Sequence, residues 1–268
     1  MMSTATRQVF NLEQVYLQIG DQYDEIKATL HLPLLDPSAS LNPETAFRLG
    51  LITAFQYAEG LADSPAAQAT IDRREWRYAL HLPASHPGVP AIRLCRFRAS
   101  LYFSTQAAGE FERMLASLRK IGLFSAQDST QEMEKVVSWV CSINHFMRLK
   151  QSVKTVLSSL AASNPEWLRA NAQPHWYLRY QTGRLDQGED LSEQEMQMEA
   201  VRLGKDIQYL LKTFDDMDQS GQVDRGEMQI LAQLFESEFI VSEGQITWRA
   251  PRRINCTCFG LGLGHTEI

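Results

Sequence analysis

The chain has 268 residues, 44% hydrophobic and 22% charged, with a net charge of −6 at pH 7. That balance excludes the disordered and fibrous classes and supplies enough apolar residues for one large domain or two ordinary ones. An acidic total also argues against non-specific nucleic-acid binding by the chain as a whole, though not by one basic face.

In chain order, helix is expected nearly everywhere. A short amphipathic start, roughly 11–30, leads into the turn-rich HLPLLDPSASLNP. PETAFRLGLITAFQYAEGL then repeats apolar residues at helical spacing, with Pro43 suited to a first turn. Asp63-Ser64-Pro65 reads as a cap followed by proline, opening one helix through AAQATIDRREWRYAL. HLPASHPGVP holds three prolines and reads as a loop; IRLCRFRASLYF and GEFERMLASLRKIGLF read as two helices. A long helical run covers about 131–162, and NPEWLRANAQPHWYLRY is broken by Pro165 and Pro174. Helices near 192–214 and 226–239 follow, and QITWRAPRR suggests a short strand. The tail CTCFGLGLGHTEI shows no period of either kind. The fold class expected is mainly α.

No apolar run reaches the ~20 residues that cross a bilayer, and MMSTATRQVF has no basic region followed by an apolar core. A cytoplasmic location without a membrane partner is expected. Cys95, Cys141, Cys256 and Cys258 form no C-x-x-C pair, so reduced thiols are the default. Charge is unevenly spread. Residues 41–120 hold ten basic side chains against seven acidic; residues 186–243 hold four against fifteen. The first region could face an anion that the second would repel.

LGLITAFQYAEGLADSPAAQATIDRREWRYALHL, followed by RFRASL, resembles the N-terminal helical domain of insertion-sequence DDE transposases of the InsH type. GLFSAQDSTQ, the leucine-rich helix ending NPEWL, the P-x-W-Y-x-x-Y of PHWYLRY, and FESEFIVSEGQITWR follow the same family's order, so the resemblance runs from about residue 10 to Arg249. It implies a helical, DNA-facing domain over 1–120, a helix-rich and incomplete start of an RNase H-like catalytic domain over 121–249, and a divergent tail over 250–268. It also implies duplex DNA at transposon ends as partner, a possible homodimer, and Mg²⁺ as cofactor. Such enzymes hold two Mg²⁺ with three carboxylates. Asp128, in AQDSTQ, matches the family's first aspartate, but Gln127, Gln131 and Ala126 depart from its flanks. The second aspartate and the glutamate would lie beyond Arg249, so the chain is expected not to cut or join DNA alone. The plain alternative for Asp128 is a helix cap before STQEMEKVV.

Phosphate contacts are expected from Arg73, Arg74 and Arg77 in a helix-turn-helix-like unit, and from Arg96 and Arg98. The alternative is a solvated face with local pairs to Asp72 and Glu75. The five tryptophans read as core and joint packing. Last, DDMDQSGQVDRGEM has the spacing of a calcium loop: Asp216, Asp218, Ser220, Gln222, Asp224 and Glu227 fall at positions 1, 3, 5, 7, 9 and 12, with Gly221 at 6. Its frame fits less well. The apolar stripe Ile207, Leu210, Leu211, Phe214 is offset by one residue from the positions a calcium unit buries, and the loop is solitary. A Ca²⁺ site and a plain interhelical turn both remain open.

Overall fold

The computed structural model describes residues 4–35, 41–124, 132–180, 191–217 and 225–249. Among them are twelve α-helices, one 3-10 turn and one two-stranded hairpin, a mainly α fold. Two compact units divide between Cys141 and Ser142.

In the first unit, α1 (Thr4–Asp21) and α2 (Tyr23–Ala28) precede a 3-10 turn at Leu32–Leu35. The central helix is α3 (Pro43–Glu59). Asn42 starts it, its side chain accepting from the Glu44 amide at 2.8 Å, with Pro43 in the first turn. Gly60 ends it at φ 66°, a left-handed conformation that costs glycine nothing. Phe47, Leu51 and Phe55 face the core, yet Leu49, Ile52 and Thr53 are buried too, so α3 is covered nearly all round.

The single helix expected from Asp63 is two: α4 (Asp63–Asp72) and α5 (Arg74–Ala79), separated where Arg73 turns extended at φ −92°, ψ 115°. Nor is Asp63 a cap. Ala62 holds that position without a side-chain bond, because the Asp63 carboxylate is drawn into the core. Tyr16, Phe55 and Trp76 form an edge-to-face trio with centroids 4.7–6.1 Å apart, joining α1, α3 and α5.

After the proline-rich loop come α6 (Ala91–Phe103) and α7 (Thr105–Ile121). Ser104 separates them and caps α7 by accepting from the Ala107 amide. Phe111, Met114, Leu115 and Leu118 of α7 complete the core, with Val136 and Val137 from the start of α8 (Glu132–Ser163).

The second unit takes the rest of α8, then α9 (Pro165–Asn171), α10 (Pro174–Tyr180), α11 (Glu193–Met217) and α12 (Arg225–Glu238). Strands β1 (Phe239–Ser242) and β2 (Gln245–Trp248) pair antiparallel, Phe239 opposite Trp248 and Ser242 opposite Gln245. The hairpin settles on α11 at Gly204, where an added Cβ would lie 2.7 Å from the Phe239 ring and 2.9 Å from Ile246. Among the described residues this hairpin is the sole sheet. No described helix is long and apolar enough to cross a membrane.

Candidate nucleic-acid interface

The five arginines expected to touch phosphate have different surroundings. Arg98 sits on the apolar stripe of α6 with Leu94, Phe97 and Leu101, its side chain 1% exposed. It donates to Asp63 at 2.6 Å and to Gln56 at 3.1 Å, and Gln56 in turn donates to Asp63 at 2.8 Å. Burial works to lower the Arg98 pKa, but the Asp63 charge and hydrogen bond outweigh it and raise it. A guanidinium so enclosed does not reach a phosphate, which corrects the expectation for Arg98.

Arg73 is also committed. It pairs with Glu59 and, at 2.6 Å, with Glu75, and its guanidinium lies over the Trp76 ring, 5.2 Å from the centroid. Glu59 is the hub of this corner, accepting from the Tyr16 hydroxyl and, at 3.0 Å, from the Trp76 indole. Arg77 donates to the carbonyls of Thr70 and Pro83, tying the proline-rich loop to α4. The local pair with Glu75 expected in the alternative reading is present, as part of a half-buried network that also takes in Glu59.

Arg74 and Arg96 are exposed, and so is Arg93, which the sequence reading had counted but not singled out. None of the three makes an ion pair among the described residues. Arg93 and Arg96 lie three residues apart on α6, hence on neighbouring positions of one face, opposite buried Leu94, Arg98 and Leu101. From Trp76 to Gly109 the chain contains no Asp or Glu at all. Two guanidiniums without an ion pair among the described residues, on a stretch of chain that holds no carboxylate, make a small field of one sign.

No family model, curated protein or solved structure matches this chain. The functional reading therefore rests on its own residues.

Asp128 lies outside the described residues, as do Asp218, Ser220, Gln222 and Asp224; Asp216 falls in the last turn of α11. Glu227, in the first turn of α12, is half-buried, and its Oε2 is enclosed without a hydrogen-bond partner. Among the described residues no three His, Cys, Asp or Glu side chains gather as a metal site. They thus offer no cradle for the Mg²⁺ pair that the resemblance implies.

The second unit holds two carboxylate hubs that sequence patterning gave no hint of. Asp206 accepts from His175 Nε2 at 3.0 Å, from Arg179, and from the Tyr180 hydroxyl at 2.7 Å. Glu238 Oε1 accepts from His145 Nδ1 at 2.8 Å and from Arg148 at 2.6 Å. Burial alone would push the Glu238 carboxyl up, but His145 and Arg148 outweigh it and hold it below its usual range. Both hubs are enclosed by their own donors, an arrangement suited to bracing helices.

Proposed function

We propose that this chain is a relative of the insertion-sequence DDE transposases whose first helical unit binds duplex DNA through phosphate contacts. The observation that supports the reading most is the acid-free stretch from Trp76 to Gly109, from which Arg93 and Arg96 project without an ion pair among the described residues. Arginine forks without internal partners suit phosphate oxygens, and Arg74 adds a third exposed guanidinium on α5. Arg73, Arg77 and Arg98 serve instead to hold the helices that present them.

Binding through phosphates releases counterions, so affinity should fall as salt rises, with about 0.9 of log–log slope per contact. The experiment is a salt titration of fluorescence anisotropy with the full chain and labelled duplex. Arg93→Ala and Arg96→Ala are each expected to flatten the slope by about one such contact. Affinity independent of salt, or unchanged slopes in both variants, would refute the interface.

A second reading is that residues 216–227 hold Ca²⁺. One observation favours it: Glu227, at the position that supplies a bidentate carboxylate, carries a buried oxygen with no hydrogen-bond partner. Terbium luminescence should then titrate in wild type and vanish in Glu227→Gln. Equal signals from the two proteins would remove calcium from consideration.

A further inference from the structure

The solvent face of α6 carries more than its arginines. Arg93, Arg96, Ser100 and Phe103 follow one another at i, i+3, i+7 and i+10, which places all four within one stripe of the helix. Phe103 is 84% exposed, the most exposed of the large apolar side chains among the described residues. One exposed phenyl ring is ordinary on a protein surface. What sets this one apart is its place in line with two unpaired guanidiniums, inside a stretch with no carboxylate. Its neighbours Leu94, Phe97 and Leu101 are buried on the opposite face, so the ring has no core to turn toward without rotating the helix. Beyond it begins α7, whose first turn also lacks an acidic residue.

Resting on the DNA-binding reading above, we propose that this stripe receives a nucleic-acid strand with an unstacked base: Arg93 and Arg96 take the phosphates, and the Phe103 ring takes the base. Charge complementarity selects a polyanion, and the ring at the end of the stripe selects one that also presents a π-face. In a closed duplex every base face is already covered by its neighbours, whereas an opened or distorted step leaves one free. The stripe rises about 15 Å from Arg93 to Phe103 at ~1.5 Å per residue. At ~3.4 Å per nucleotide step along a stacked strand this spans about four steps, enough to separate the phosphate contacts from the stacked base. Stacking on an aromatic side chain tolerates any base, so the preference is for the opened state and not for a sequence.

The test compares two fluorescent probes, a closed duplex and the same duplex opened by a central bubble of unpaired thymines, with the full chain. Wild type is expected to bind the bubble more tightly by at least about fivefold, the lower end of what one base–aromatic stack supplies. Phe103→Ala should lose that preference while keeping its affinity for closed duplex, and Phe103→Trp should retain the preference. Arg96→Ala should weaken binding to both probes alike. Truncating a ring this exposed removes little buried surface, so the variant should fold, and an unchanged thermal melt verifies it. No preference in wild type, or a preference that survives Phe103→Ala, overturns the inference while leaving duplex binding intact. Failure to bind either probe removes both readings. If Phe103→Ala changes the sedimentation of the protein and not its DNA binding, the ring serves a second copy of the chain, and the inference falls.

Discussion

The two units handle charge in opposite ways. In the first, carboxylates are placed to absorb particular arginines: Glu59 and Glu75 hold Arg73, and Asp63 holds Arg98. Arg74, Arg93 and Arg96 are left over, facing water. In the second, hydrogen-bond donors are placed around buried carboxylates: His175 and Arg179 at Asp206, His145 and Arg148 at Glu238. There the acidic side chains are in excess, fifteen against four over residues 186–243. What each unit can attract is set by the charge remaining after internal pairing. By composition both are acidic, fifteen acidic side chains against thirteen basic over residues 1–141 and sixteen against twelve over 142–252, so the arginines left over are a local feature of α5 and α6.

The comparison breaks most sharply at Arg98. If its role is internal, Arg98→Met should cost about 3–5 kcal/mol by stranding the Asp63 carboxylate in the core. The double variant Arg98→Met/Asp63→Leu should recover much of that loss. Urea unfolding followed by circular dichroism measures both. A single variant as stable as wild type would mean that Arg98 is not the interior brace described.

A smaller effect is expected at Glu238. Its carboxyl titrates below the usual range when folded, so it favours the folded state fully at pH values above the unfolded carboxylate range. That contribution drains as pH falls through the unfolded value toward the folded one. Glu238→Gln should lose about 1.5–3 kcal/mol near neutrality, the scale of hydrogen bonds to a charged group. Its stability should also fall less steeply than wild type below about pH 4. Melting temperatures across an acid series would show it; parallel curves would contradict the assignment. Glu44 in the first unit is also held below its usual range: burial opposes the shift, and bonds from Lys27 and Tyr23 outweigh it. Its partner Lys27 is about one-third exposed, so this pair contributes less to the slope.

Much of the fold was legible because helical period and caps are local signals. Pro43, Pro165 and Pro174 open helices where proline should, and the strand expected in QITWRAPRR is observed at Gln245–Trp248. The break at Arg73 was not legible, since IDRREWRYAL holds no glycine or proline to mark it. Arg98 is a different case. Its spacing from Leu94 and Leu101 put it on the apolar face, a signal that family resemblance to a basic stretch overrode. Asp63 looked like a cap because its partner is 35 residues away, and no local pattern reports such a pairing. The hubs at Asp206 and Glu238 were hidden for the same reason, Glu238 meeting His145 across 93 residues. Arg93 and Arg96 could be counted from the sequence, but their freedom from internal pairs could not.

The Arg98–Asp63 bond also bears on the order in which the chain takes shape during synthesis. Asp63 emerges 35 residues ahead of Arg98. Until α6 follows, its carboxylate has no cation to meet, and water holds it better than the nascent interior can. The helices already made therefore stay loosely associated, and drying of that corner waits until both charges can leave water together. Bringing them together also closes a sizeable loop. One side of α6 thus fixes the interior of the first unit, while its opposite side stays exposed.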